Sequence, residues 1–502
     1  MLPQFNIPRW EVRLYEIIPG FLAWMTFVIP IILTFYTPRV LSIFIILFDL
    51  LWLIKSFHVS RYLYISYRRL MSHLKINWWD KLQNSNLAYE NIRHVVIFPI
   101  YNEGEEIVTP SIQSLQKSQY NLKRIWGVIA IEERGGPEGV EMAYRLKEKF
   151  ESHFEKLFVV VHPDNLPDEA KAKGANITYA AQQIEKELEK ENLTFDQVLV
   201  TSLDADSSLH PQLLAHFTYT FLTTENRQKR LFQFIPMYHN NFWDAPGFSR
   251  IIAISAGFWT MIESTREDRF RVFATYGMSW RNLKDAEYWD KKSIIEDGIQ
   301  YWRNIFAQKN EVGYVVPVYA IVYMDAVFGG SFWATLKAQY KQLRRWSWGA
   351  SDLAFIAPRF SRMKDFSLKD KYLYISRLVV NHLTWSTVPL FLLFAGQIPL
   401  INHTFSQTIL GSNLPLYTSV ILTISLLGLS LAIIISALLL PDNPNKRNVW
   451  WQIKHILPWI LAPLVTIIYG AIPALHSQTE LMLGKKMEKF TVTIKMRNKT
   501  SS

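Results

Sequence analysis

The chain has no cysteine among its 502 residues. That absence excludes a disulfide framework, a zinc ribbon, iron–sulfur ligation and a thiol nucleophile. Charge is also sparse, at 19% of residues against about 25% in an ordinary soluble domain. The motifs H-E-x-x-H, G-x-S-x-G, G-x-x-x-x-G-K-[ST] and G-x-G-x-x-G do not occur, which weighs against zinc proteases, serine hydrolases, P-loop nucleotidases and dinucleotide oxidoreductases. No internal repeat or low-complexity tract breaks the sequence. What is present is 49% hydrophobic residues, 14% aromatics and a net charge of +11. Such a balance fits a nucleic-acid binder or a membrane protein with basic flanks, and the places where charge is missing decide for the membrane.

Residues 17–38 contain no Asp, Glu, Lys or Arg, enough for a helix to cross ~30 Å of hydrocarbon. Residues 40–54 are interrupted only by Asp49, residues 378–441 are uncharged with a polar dip at 397–415, and a last gap covers 455–479. Five spans are expected, two before and three after a central block. The first is too long for the apolar core of a signal peptide and lacks a small-residue cleavage site, so it is expected to be retained. Arg9 and Arg13 precede the first span, and Lys55, Arg61, Arg68, Arg69, Lys75 and Lys81 follow the second. The positive-inside rule then puts the N-terminus and the central block in the cytoplasm of a multi-pass protein of the cell membrane. Lys446, Arg447 and Lys454 read as cytoplasmic too.

The expected organisation is two N-terminal spans in 1–57, a cytoplasmic domain in 58–350, an interfacial amphipathic segment in 351–377, about three C-terminal spans in 378–479 and a basic tail in 480–502. Lys485, Lys486, Lys489, Lys495, Arg497 and Lys499 also favour the cytoplasm, which three crossings would deny them. The last segment, broken by Pro458, Pro463 and Pro473, is the one expected to be re-entrant or interfacial.

The central block alternates short apolar runs with amphipathic stretches. Residues 95–99, 125–131, 157–161 and 198–203 read as buried strands. Residues 141–154 and 177–188 read as helices, and Thr109-Pro110 as a helix N-cap with proline at the first helical position. The alternation predicts an α/β domain with a mostly parallel sheet, whose ligands bind at the carboxyl ends of the strands.

Those ends are acidic. Pro99-Ile100-Tyr101-Asn102-Glu103 follows the first strand, Glu132 and Glu133 the second, and Asp204-Ala205-Asp206 the fourth. Carboxylates at i and i+2 on a strand end suit a divalent metal that also binds phosphate oxygens, although Asp equally favours turns and caps. Glu296-Asp297 precedes a helix-like stretch at 299–306. A carboxylate there could accept a proton from a hydroxyl nucleophile, and taken alone the pair also fits a plain N-cap. Gln342-Leu343-Arg344-Arg345-Trp346 is rarer, since Q-x-x-R-W is expected roughly 0.03 times by chance in this composition. On a helix, Gln342, Arg345 and Trp346 share a face; Arg can neutralise a diphosphate bidentately, and a Trp face can hold a sugar ring. The same helix, with Lys337, Lys341, Arg344 and Arg345, also suits a membrane surface.

In order and spacing, this set of motifs resembles the family 2 glycosyltransferases. The membrane-embedded cellulose, hyaluronan and mannan synthases and the ceramide glucosyltransferases are the nearest in kind. The resemblance covers about residues 93–349. It implies a GT-A-type fold flanked by transmembrane helices, and inverting, metal-assisted transfer from a nucleotide-sugar, usually a UDP-sugar, to a polysaccharide or lipid acceptor. It implies that Tyr101, Glu103, Glu132, Lys173 and Asp204 contact the nucleotide-sugar, and that Asp206, with Asp204, serves a Mg²⁺ or Mn²⁺ ion. By the same resemblance Asp297, with Glu296 beside it, is the catalytic base, while Gln342, Arg345 and Trp346 hold the diphosphate and acceptor. Lys173-Gly174-Ala175-Asn176 is similar to the family's K-G-x-N segment. Two departures stand out: Glu132 occupies the place of an Asp, and Ile295 that of a Thr. The implied partners are a nucleotide-sugar, a glycan or lipid acceptor and membrane lipids, with no nucleic acid. The competing reading is an inactive transferase-like membrane scaffold, against which the intact Asp204, Asp206, Asp297 and Arg345 argue.

Overall fold

The computed structural model describes residues 2–309, 315–441, 450, 457–485, 487, 493 and 495–497. Of the basic residues read above, Lys446, Arg447, Lys454, Lys486, Lys489 and Lys499 lie outside the described residues.

The central block folds around one sheet of eight strands: β1 (Arg93–Ile100), β2 (Ile125–Glu132), β3 (Lys156–His162), β4 (Val198–Ser202), β5 (Ser208–Leu209), β6 (Leu231–Met237), β7 (Tyr276–Ser279) and β8 (Val315–Tyr323). Their order is β3-β2-β1-β4-β7-β6-β8-β5. The half built from β1 to β4 is parallel, as the alternation of strands and helices predicts. β7 runs antiparallel to both β4 and β6, and β5 antiparallel to β8.

Burial follows the two-residue period of a strand. Val96, Phe98 and Ile100 of β1 join one core, and Val95 and Ile97 join the other, because successive side chains point to opposite faces. Helices Glu105–Gln116 and Pro137–Phe150 cover the first face through Ile112, Leu115, Leu146 and Phe150. Helix Lys173–Lys190 covers the second through Ile177, Ile184 and Leu188.

One boundary corrects the sequence reading. The helix expected to begin at Pro110 begins instead at Glu105, with Gly104 as N-cap and Pro110 inside it. Proline there forfeits one backbone hydrogen bond. Glu105 and Glu106 in the first turn suit the positive end of the helix dipole, and burial of Ile107 and Val108 offsets the loss. The predicted 141–154 helix likewise starts earlier, at Pro137, and ends in a 3₁₀ turn at Glu151–His153.

Among the described residues, five helices are long and apolar enough to cross a membrane: Arg9–Tyr36, Pro38–Leu74, Leu368–Ile401, Ile409–Leu438 and Leu457–Met482. The second and fourth pack closely: Ser60 donates to the Gly428 carbonyl at 2.8 Å, and a Cβ on Gly428 would lie 3.1 Å from the Ser56 carbonyl oxygen. The fifth, interrupted by a π-helical turn at Thr466–Ala471, lies between the sheet domain and the first and third spans, with Gln478 donating to the His382 carbonyl at 2.9 Å. Trp459 is buried with Ile251 and Ile252, and Tyr469 stacks on Phe248 with ring centroids 5.3 Å apart. Glu480 pairs with Arg344, and Arg13 donates to the Leu481 carbonyl at 2.7 Å.

Candidate active site

The acidic strand ends meet in one crevice, and a buried lysine organises them. Lys173 opens helix Lys173–Lys190. Its Nζ lies 2.7 Å from Asp204 Oδ1 and 3.5 Å from Glu296 Oε1. Gly174 permits this approach, because a Cβ there would sit 2.4 Å from the Asp290 carbonyl oxygen and 2.9 Å from Glu296 Cβ. Asn176, one turn on, donates to the Ala130 carbonyl at 2.8 Å and the Ile100 carbonyl at 3.5 Å. It thereby ties the ends of β1 and β2 together beneath the crevice.

The charges respond to this packing. Burial alone would raise the Asp204 carboxyl, but the Lys173 ammonium, with Lys495 and Arg345, holds it below the usual carboxylate range. Burial would lower the Lys173 ammonium, and Asp204 and Glu296 outweigh it and raise it. Glu296 is pushed up to about 7 by burial and by the negative charges of Asp297 and Asp204, against the pull of Lys173. One buried cation thus serves two carboxylates, of which Glu296 is the readily protonated one.

Asp297 sits beside Glu296 in the first turn of helix Glu296–Ala307. Its Oδ2 accepts the Ala274 backbone N–H at 2.8 Å and its Oδ1 that of Gly298, also at 2.8 Å. Ala274 has φ +43°, a left-handed conformation that non-glycine residues rarely adopt. Buried Gln233 brackets this turn: its Oε1 accepts from Phe273 N at 2.7 Å and its Nε2 donates to the Thr275 carbonyl at 2.8 Å. A strained turn therefore aims an N–H at the carboxylate.

Arg345, from helix Phe332–Ser347, faces the same group. Burial lowers its guanidinium from the usual arginine range, and the charges of Asp204, Glu296 and Asp297 act against that. The other two residues of its motif are placed differently. Gln342 is buried and accepts from Gln339 at 2.9 Å, while half-buried Trp346 packs on the core that holds Ile251 and Tyr469.

Asp206 belongs to a second charge centre. It is 3% exposed, its Oδ2 accepts the Asp325 backbone N–H at 2.7 Å, and Lys495 Nζ lies 2.6 Å from the same oxygen. Asp325 is 1% exposed and is paired by Arg497 at 2.8 Å. Burial and the charge of Asp206 push Asp325 up to about 6, against Arg497. The tail residues are anchored by backbone: Met496 N donates to the Phe328 carbonyl at 3.0 Å and Asn241 Nδ2 to the Met496 carbonyl at 3.0 Å. Glu103 is half-buried, accepts the Tyr101 N–H at 2.7 Å, and is raised chiefly by burial.

A third group lies at the ends of β1 and β2. Glu132 is buried and pairs with Arg134, whose guanidinium lies 4.2 Å from the centroid of the Tyr101 ring.

Sequence reasoning named Tyr101, Glu103, Glu132, Lys173, Asp204, Asp206, Glu296, Asp297 and Arg345, and the fold brings all of them to this one end of the sheet. It missed Asp325, Gln233, Ala274 and the arrival of Lys495 and Arg497. The one signal available was the position of Asp325, directly after the apolar β8 run; nothing local marks the others.

No family model matches the chain, and no curated protein sequence matches it. Solved structures do. A mannosyltransferase from Pyrobaculum calidifontis in complex with GDP-Man and Mn²⁺ is 12% identical, covering 87% of this chain and 100% of its own, with a TM-score of 0.40. Residues 1–349 of S. aureus TarS with UDP-GlcNAc are 12% identical over 79% of this chain and 93% of that one, TM-score 0.36. GalNAc-T7 with UDP, GalNAc and Mn²⁺ is 12% identical over 58% and 55%, TM-score 0.31. The chain spans about half the length of that last structure.

Proposed function

We propose that the chain is a membrane-bound glycosyltransferase of the family 2, GT-A type, moving a sugar from a nucleotide-sugar to a glycan or lipid acceptor with inversion at C1. The observation that carries this reading is the convergence of Asp204, Glu296, Asp297 and Arg345 around buried Lys173 at the strand ends.

The chemistry follows from these groups. Asp297, held by two backbone N–H groups, takes the proton from the acceptor hydroxyl as its oxygen bonds C1. The bond from C1 to the diphosphate oxygen breaks on the opposite face, and the nucleoside diphosphate leaves with the electron pair. A general base typically contributes about 10²- to 10⁴-fold. Arg345 meets the charge that develops on the departing diphosphate, in a buried setting where such stabilisation is strong. Lys173 keeps Asp204 ionised toward the donor.

Among the described residues no three carboxylates or imidazoles could hold a metal ion by themselves, so a divalent cation at Asp206 would depend on substrate oxygens for the rest of its shell. Two buried carboxylates, Asp206 and Asp325, already hold two positive groups, and Mg²⁺ is commonly bound by one or two carboxylates plus substrate phosphates. Asp206, with Asp204 and Asp325 near it, would hold Mg²⁺ or Mn²⁺, which neutralises phosphate charge when bound.

In this reading the sheet domain and N-terminus face the cytoplasm. Leu457–Met482 is read as lying along the sheet domain without crossing, a reading that its Trp459 and Glu480 contacts with that domain favour. Four crossings then return the tail to the side where Lys495 meets Asp206.

The test is to incubate detergent-purified protein with a panel of radiolabelled nucleotide-sugars and Mg²⁺ or Mn²⁺, and to size the products. Labelled polymer or glycolipid is expected. Absence of both transfer and nucleotide-sugar hydrolysis across the panel would leave the inactive scaffold.

A further inference from the structure

We infer that the base seat at the ends of β1 and β2 is built for guanine, so that the donor is a guanosine diphosphate sugar in place of the uridine donor that the resemblance implies. This inference rests on the nucleotide-sugar reading of the crevice. Its starting point is what lies in the seat now.

The Arg134 guanidinium, a flat group carrying N–H donors, is stacked 4.2 Å from the Tyr101 ring centroid, and its Nε donates to the Glu132 carboxylate. Guanine contains the same fragment, a carbon bearing three nitrogens, with N1–H and N2–H projecting side by side. Arg134 therefore presents to Tyr101 and Glu132 the stacking face and the donors that the Watson–Crick edge of guanine would present. The seat is rigid on the protein side. Glu132 is 5% exposed and is fixed at the end of β2 opposite His162 of β3. The loop after it presses on Tyr101, where a Cβ on Gly135 would lie 1.8 Å from the Tyr101 carbonyl oxygen. Beside the carboxylate is a cavity of about 220 Å³, lined in part by Arg134, His162, Leu166 and Lys171. The Arg134 side chain can move into that space when a base takes its place.

The choice among bases follows from what a carboxylate can accept. An ionised Glu132 offers acceptors and no donor. Adenine and cytosine each set a ring-nitrogen acceptor beside their amino group, so one carboxylate oxygen would face a lone pair. Uracil offers a single N–H flanked by two carbonyl oxygens. Guanine alone of the four offers two adjacent, parallel N–H donors, and both oxygens of Glu132 are then used. A site built to receive an N–H discriminates strongly against analogues that lack it, because its buried acceptor is left without a partner.

The experiment is isothermal titration of the full-length detergent-purified protein with GDP, IDP, UDP and ADP, each with Mg²⁺, for the wild type and for Glu132→Gln. GDP is expected to bind at least about tenfold more tightly than UDP or ADP, the discrimination of one bidentate pair. IDP, which lacks only the 2-amino group, is expected to fall between them. Glu132→Gln, which replaces one acceptor oxygen by a donor, is expected to retain diphosphate binding and to lose most of the preference for GDP over IDP. UDP or ADP binding as tightly as GDP, IDP equal to GDP in the wild type, or an undiminished GDP preference in Glu132→Gln would each overturn the guanine assignment and leave the transferase reading standing. No binding of any nucleoside diphosphate to the wild type would overturn the transferase reading itself, and this inference with it.

Discussion

Two acidic centres share the crevice, and they are neutralised in different ways. Asp204 and Glu296 are served from within the sheet domain by Lys173, on the first turn of a helix packed beneath them. Asp206 and Asp325 are served from outside it, by Lys495 and Arg497 near the far end of the chain. An internal cation is part of the folded core and cannot leave without stripping buried Glu296 and partly exposed Asp204 of their shared partner. A cation on a tail segment is held by a few contacts and can be exchanged for another positive group. The first centre is thus suited to positioning, and the second to admitting a metal ion.

The largest expected effect tests the permanence of the first centre. Lys173→Met leaves buried Glu296 and partly exposed Asp204 without their shared cation; loss of one partner of a buried ion pair costs about 3–5 kcal/mol, less what solvent at Asp204 recovers. Denaturant unfolding in detergent should show that loss, and millimolar Mg²⁺ should not restore it. A variant as stable as the wild type would remove the distinction between the centres.

Next is Asp297→Asn, which keeps one of the two oxygens that accept the Ala274 and Gly298 N–H groups, replaces the other by a donor, and cannot take a proton. Transfer is expected to fall at least ~10²-fold while nucleotide affinity stays within a factor of about 3, equivalent to less than ~1 kcal/mol. Single-turnover transfer assays and calorimetry together check this; near-normal turnover would remove Asp297 as the base.

Lys495→Ala should act more mildly, because a metal ion can take the vacated place on Asp206. Without Mg²⁺ the buried Asp206 loses its partner, at a cost of a few kcal/mol at most, about 3–5 for a fully buried pair, and added Mg²⁺ should recover that loss, in contrast to Lys173→Met. If Mg²⁺ gave no recovery, the second centre would not be an exchangeable cation seat.

The smallest effect is in pH dependence. Glu296 is raised from 4.5 to about 7, so between those values the folded protein holds a proton that the unfolded chain has lost. Stability attributable to this group is therefore full below about pH 4.5 and declines as pH rises through 7. Glu296→Gln should flatten that part of the stability profile, and an unchanged slope would show that Glu296 is not the group responsible.

What was legible in the sequence follows the same division. The parallel strands β1, β2 and β4 were readable because each is a short, nearly uninterrupted apolar run buried on both faces, and the residues that follow them were readable as acids at strand ends; β3, half-buried at the sheet edge, was readable from its apolar run alone. Lys173 was found through its K-G-A-N context. The antiparallel half was not read: β5 is two residues long, β7 four, and neither stands out from a loop by composition. The start of the first domain helix was missed because Pro110 looks like a first-turn residue, whereas tertiary burial of Ile107 and Val108 carries the helix back to Glu105. Lys495 reads as one of several basic tail residues, since its partner is 289 positions away and no local pattern records such a pairing. Ala274 carries no sign of its left-handed backbone, which Gln233 and Asp297 impose through hydrogen bonds.

The central claim, that this crevice binds a nucleotide diphosphate through a metal held at Asp206, is tested most directly by calorimetry of the full-length protein with nucleoside diphosphates, with and without Mg²⁺, alongside Asp206→Ala. Mg²⁺-dependent binding in the wild type that disappears in Asp206→Ala is the expected result. Binding that is equally tight in both proteins, or indifferent to Mg²⁺, would contradict it.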